Sequence, residues 1–300
     1  MEEDVLTMEE HENVGHSLGA VFGTDAEPFI RGVDTVLQRA KTHEYEFCSE
    51  EFFRIISNET PPNMGKLNYI TAHELLEKCH LSAVTAIRRN RSWMHAAARE
   101  YANGNYYGFA ASARGYIESV ADSMDGLLAI GHTLARHHRS ILACLSGKVN
   151  DRGADFQEIE QKLDHYMFAG WTREKDNVRK EKGSQVYIQG IQSSQVPNLL
   201  RDWRKLCAVA HPSSASVEIF YEFDKDSGRV RFLENAEAER CAEILEEIKP
   251  SLEGILPYAM NPSLLILRVM HKFPGYPKIP EMKKMAFDRL PIWSEISRML

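Results

Sequence analysis

The chain lacks most of the features that settle a protein's chemistry by inspection. Its five cysteines, Cys48, Cys79, Cys144, Cys207 and Cys241, are scattered, odd in number and never form C-x-x-C. That pattern excludes a disulfide framework and the usual thiolate zinc sites, and it suits a reducing compartment. No apolar run approaches the roughly 20 residues that span a bilayer. The acidic start "MEEDVLTMEEHENVGH" has no apolar stretch of the signal-peptide kind, so a cytoplasmic protein that makes no membrane contact is expected. The patterns G-x-x-x-x-G-K-[ST], G-x-G-x-x-G and H-E-x-x-H are missing too. The familiar NTP-binding, dinucleotide and zinc-protease classes therefore fall away, and no cofactor is expected.

What is there describes a globular chain with a skewed charge. Hydrophobic residues make up 43% and charged residues 26% of 300 positions, enough to bury a core. Residues 1–60 hold fourteen Asp or Glu against four Lys or Arg, while the remainder is mildly basic. An acidic leader on a basic body shields a nucleic-acid surface or is simply a solvated arm.

Apolar residues mostly recur at helical spacing. "AEPFIRGVDTVLQRAK" and "SEEFFRIIS" read as short amphipathic helices, the second with Ser49 as N-cap and Phe52, Phe53, Ile55 and Ile56 as its apolar side. After the break "NETPPNMGK", a helix is predicted from about Thr71 to Ala102 and a second from about Tyr106 to Ser146. The short "NGN" between them implies an antiparallel pair. Further helices are predicted near 155–168, 196–210, 235–248, 251–272 and 281–299. One segment alternates instead: "SVEIFYEF", "DKDSG", "RVRFL" predicts a β-hairpin near 216–233. The expected fold is mainly α, a helical bundle built on the long antiparallel pair with one small hairpin. Its expected domains are an acidic N-terminal helical arm (1–60), a helical core with the hairpin (61–234) and a C-terminal helical extension (235–300).

Three constellations carry chemistry. Arg114, Glu118, Asp122, Asp125, His132, Arg136 and Arg139 lie three, four or seven positions apart and share one helix face, with Arg114 and Glu118 spaced to pair. Such a seam faces inward to serve a metal or a substrate, or it is a solvated face opposite the apolar stripe or one structural ion pair. Glu77-x-x-His80 has the spacing of carboxylate-bridged metal bundles, with Glu118 as one further carboxylate, but no second Glu-x-x-His accompanies it. The third is "RKLCAVAH". Seven residues turn a helix by about 700°, so Arg204 and His211 are expected along one edge. An Arg to neutralise phosphate and a His to move a proton suffice for metal-free RNA cleavage. The rival reading is structural: Pro212 ends the helix, and His211 there meets the dipole and the free carbonyls.

"RKLCAVAH" and "SARGYIESVADSMDGL" together resemble the HEPN-like helical superfamily, over roughly residues 65–215. The resemblance implies a helical bundle, a homodimer, and an Arg-x4–6-His motif at Arg204 and His211. It also implies metal-independent endoribonuclease activity in a bacterial defence or toxin–antitoxin setting, with RNA as the partner. Arg114, Glu118 and Asp122 would support the site. In one departure from the family, Lys205 follows the motif Arg where Asn, Asp or His is usual. The alternative expectation is a non-catalytic scaffold that holds a protein partner, with Arg114, Glu118 and His211 bracing the bundle. A metal-dependent bundle enzyme is the third.

Overall fold

The computed structural model of the chain describes residues 17–168, 183–193, 196–234, 236–285 and 287–300. It is mainly α-helical with a single two-stranded antiparallel hairpin among the described residues, as the periodicities predict. The helices are α1 (Ala26–Ala40), α2 (Glu50–Ser57), α3 (Met64–Ala102), α4 (Tyr106–Leu127), α5 (Ile130–Leu145), α6 (Gln157–Phe168), α7 (Ser184–Ile191) and α8 (Leu199–Ala210). A one-turn helix (Ser214–Val217) leads to strands β1 (Tyr221–Asp224) and β2 (Arg229–Phe232), then to α9 (Glu237–Met270) and α10 (Pro291–Met299). No helix among the described residues is long and apolar enough to cross a membrane.

Two compact units make up the chain, each assembled from three separate stretches. The first draws on Met1–Arg31, Arg88–Asp122 and Gly183–Ala259; the second on Gly32–Ile87, Ser123–Lys182 and Met260–Leu300. In the first unit α3 and α4 run antiparallel: Trp93 lies on Gly115, Asn90 meets Ser119 and Tyr101 meets Phe109. Gly104 makes the turn between them in the left-handed region, φ +64°, where a Cβ would strain the backbone. Phe109, Tyr116, Ile117, Leu206, Leu252 and Ile255 are sealed into this unit's core. The second unit has its own core, with Leu75, Leu76, Leu127, Leu134, Ile266 and Phe273 buried.

Several boundaries differ from the predicted ones, each for a local reason. α3 starts seven residues early because Asn63 Oδ1 accepts from the Lys66 backbone N–H at 3.0 Å and caps it. The helix expected over 106–146 is interrupted at Leu128 and Ala129, between Gly126 and Gly131, whose low helix propensity makes a break cheap. Val217 and Ile219 alternate like strand residues, yet Ser213 and Ser216 form a capping box and draw the segment into helical turns. The strands begin only at Tyr221. α9 is one helix across Pro250, where the sequence predicts a break, and across Pro257 and Pro262. Ile248, Leu252, Ile255 and Ala259, all fully buried, keep its first two-thirds on the core and offset the lost backbone bonds. The final helix shortens to Pro291–Met299, preceded by 3₁₀ turns. On α2, Ser49 does cap the Phe52 N–H, but Phe52, Phe53 and Ile55 are exposed and only Ile56 is buried.

Candidate functional site

The candidate site is built on α8 and α4, both within the first unit where it concerns them. Leu199, Asp202, Leu206 and Val209 recur at helical spacing and are the buried face of α8. The opposite face presents Arg201, Arg204 and Lys205 to solvent. Asp202 is a charge drawn into the core side, 1% exposed. Arg201 donates to its Oδ1 at 2.9 Å, and the Ser251 hydroxyl donates to its Oδ2 at 2.6 Å, so it is held rather than available.

Proline decides where α8 ends. A residue that precedes proline is pushed out of the helical region, and His211 takes φ −103°, ψ 152°. Ser213 Oγ donates back to the Ala208 carbonyl at 2.5 Å and closes the helix end. The helical-wheel geometry that aligns Arg204 with His211 thus stops one residue short of the histidine. No hydrogen bond or ion pair joins the two among the described residues.

His211 meets a different arginine. Arg114 Nη1 lies 2.9 Å from His211 Nε2. A guanidinium only donates, so Nε2 accepts and the imidazole carries its proton on Nδ1 in this arrangement. Arg114 also sits 3.3 Å from Glu118 Oε1, the i, i+4 pair expected from the sequence. That same oxygen accepts from Trp203 Nε1 at 2.9 Å. The result is a chain His211–Arg114–Glu118–Trp203 that ties the middle and the C-terminal end of α8 to one edge of α4. The Cys207 thiol lies in the same field: burial pushes its pKa up, Arg114 lowers it and Glu118 raises it again.

Arg204 stands apart from that chain, on a shallow groove lined by Gln192, Pro197, Leu200 and its basic neighbours Arg201 and Lys205. Arg201 is committed to Asp202 and Lys205 to Glu247, whereas Arg204 has no ion pair or hydrogen bond among the described residues. Asp122, the last supporting residue named from sequence, is taken by Arg89 Nη2 at 2.5 Å, which braces α4 to α3. The rest of the expected seam is interrupted by the break after Leu127; in the second unit His132 pairs with Glu295 and Arg136 with Glu158. Trp203 and Cys207 were not singled out from the sequence. Their roles depend on contacts 85 or more positions away, which no local pattern encodes.

Glu77 and His80 belong to a separate cluster in the second unit. His43 Nε2 lies 3.0 and 3.1 Å from the two Glu77 oxygens, and Tyr276 donates to Oε1 at 2.8 Å. His80 Nδ1 bonds with the Tyr45 hydroxyl at 2.9 Å. Burial, then the neighbouring His43 and His271, hold the His80 pKa down to about 3. Among the described residues, no group of three or more His, Cys, Asp or Glu side chains is placed to hold a metal ion. The Glu118 carboxylate, the third member of the expected metal set, is engaged by Arg114 and Trp203. Compared with family models, curated proteins and solved structures, the chain matches none.

Proposed function

We propose that the chain is a HEPN-like protein that acts on RNA without a metal, using Arg114 and His211 as its reactive pair and Arg204 to hold backbone phosphate. The observation that carries this reading is the 2.9 Å contact between a guanidinium and an imidazole on an exposed edge. A substrate phosphate competes with His211 for Arg114, because an anion is the better partner for a guanidinium. Displacement frees Nε2 to accept the 2′-hydroxyl proton. The 2′-oxygen then attacks the adjacent phosphorus and the bond to the 5′-oxygen breaks, with water protonating that leaving group. Arg114 stabilises the charge that builds on the phosphoryl oxygens. Arg204 lies about 10 Å along α8 from the histidine, placed for a phosphate further along the strand than the adjacent one. Homodimerisation, a bacterial defence role and a cytoplasmic location come from the HEPN resemblance and belong to the same proposal.

A second reading is favoured by the way the pair is bonded. His211, Arg114, Glu118 and Trp203 satisfy one another, which suits a brace in a non-catalytic module that binds another protein. One experiment separates the two: cleavage of fluorescent single-stranded RNA in EDTA, alongside thermal melting. On the first reading His211→Ala abolishes cleavage and leaves the melting temperature nearly unchanged. If the wild type does not cleave and His211→Ala lowers the melting temperature, the brace stands and the nuclease falls.

A further inference from the structure

The hairpin carries the most conspicuous unpartnered face in the first unit. Its register pairs Tyr221 with Phe232 and Phe223 with Val230, so these four share one side. Glu222, Asp224, Arg229 and Arg231 occupy the other, where Arg231 bonds Glu222 at 2.5 Å. The apolar side is open: Phe223 is 54%, Val230 62% and Phe232 69% exposed. It overlooks a groove whose floor includes Val209, Ile219 and Ile244. The sheet has only two strands, and among the described residues the outer edge of neither is bonded to another element. An isolated two-stranded ribbon with an exposed apolar face is marginal in water and is a template for strand addition.

Charge pattern selects the occupant. A second copy added by two-fold symmetry on β2 sets Arg231 against Arg231 or Arg229 against Arg231 in the two registers centred on the strand, and gives the arginines no opposite charge in the register that pairs Phe232 with itself. On β1 the centred registers set Glu222 against Glu222 or against Asp224, and pairing Tyr221 with itself gives the acids no opposite charge. Like charges directly opposite are destabilising, so a two-fold copy is repelled or gains nothing from charge on either edge, whereas an acidic strand on β2 pairs with both arginines. RNA is disfavoured too, since the groove's Glu218, Glu243 and Glu247 outnumber Lys205 and Arg240. We infer that β2 is a docking edge for an extended segment of a different protein in which apolar and acidic residues alternate. Its acids face Arg229 and Arg231, and its apolar side chains continue the Val230–Phe232 surface over the groove. β2 is the edge used because its apolar residues are more exposed than those of β1.

The test uses the full chain and two labelled synthetic peptides, EVEFEVEVE and its counterpart with lysine at every glutamate. Fluorescence anisotropy is expected to show the acidic peptide binding about tenfold more tightly than the basic one. Replacing both arginines (Arg229→Gln with Arg231→Gln) brings the two affinities together, and Phe232→Asp removes binding of both while helical circular dichroism is retained. Equal affinity for the two peptides, or no binding of the acidic one, overturns the inference. So does a dimer in sedimentation that Phe232→Asp dissociates, or displacement of the acidic peptide by oligouridine. The result is independent of the RNA-cleavage assay, so either reading can fail alone.

Discussion

Two histidine-containing polar clusters of this chain look alike in composition and differ in exposure. In the first unit Arg114, Glu118, Trp203 and His211 form a linear chain at the surface, with the ion pair's side chains 26% and 27% exposed. In the second, Glu77 and His80 are 2% and 1% exposed, wrapped by His43, Tyr45 and Tyr276. Water competes for every bond in the first cluster and for almost none in the second. The surface cluster is therefore cheap to disturb and open to an incoming phosphate, while the buried one is costly to disturb and closed to a ligand of any size.

That difference is broken most directly at Glu77. Glu77→Ala leaves the His43 and Tyr276 donors without their buried acceptor and is expected to cost about 3 kcal/mol or more, read by denaturant unfolding. An unfolding free energy within 1 kcal/mol of wild type would show the buried network to be no more demanding than the surface one.

Acid provides the next largest effect. Burial, with His43 and His271, holds the folded-state pKa of His80 at about 3, against 6.5 for the free side chain. Burial and nearby Arg268, Lys278 and Lys272 hold His271 at about 4. Between pH 6.5 and 4 the unfolded chain takes up protons that the native chain refuses, so stability falls as pH is lowered and levels off below about pH 3. The slope from His80 approaches 1.4 kcal/mol per pH unit. Melting temperatures measured down this range should show a shallower slope for His80→Gln than for wild type. Parallel slopes would place the acid sensitivity elsewhere.

Smaller effects are expected at the surface. Trp203→Phe removes one half-exposed hydrogen bond to Glu118 and should cost about 1 kcal/mol. Arg204→Ala should change stability by less than 0.5 kcal/mol while weakening binding of single-stranded RNA, since Arg204 holds nothing inside the fold. A measurable stability loss at Arg204 with unchanged RNA binding would reverse its assignment from ligand contact to structural residue.

Much of the architecture was legible because it depends on local periodicity. The apolar spacing of Phe109, Ala113, Tyr116 and Val120 makes a helix whatever surrounds it, and "DKDSG" turns between "FYEF" and "RVRF" by its own chemistry. The pairing of Arg114 with Glu118 follows from one helical turn. The break expected before Pro250 is absent from α9, because an interior proline breaks a helix only when packing does not hold it, and Ile248, Leu252 and Ile255 do hold it. The exposure of Phe52, Phe53 and Ile55 was equally invisible, since an amphipathic stripe says which side is apolar but not whether anything covers it.

Apart from the Arg114–Glu118 pair, the partners of the candidate-site side chains belong to tertiary structure alone. Local sequence determined that α8 exists, that it carries Arg204 on a basic face, and that it stops at Pro212. It could not determine that His211, turned into extended backbone by that proline, would meet Arg114, 97 residues earlier in the chain. Nor could it say that Glu77 would be sealed by Tyr276, 199 residues later. Helix and turn propensities act over a few residues, whereas a hydrogen bond between distant side chains forms only where packing of the whole core brings them together.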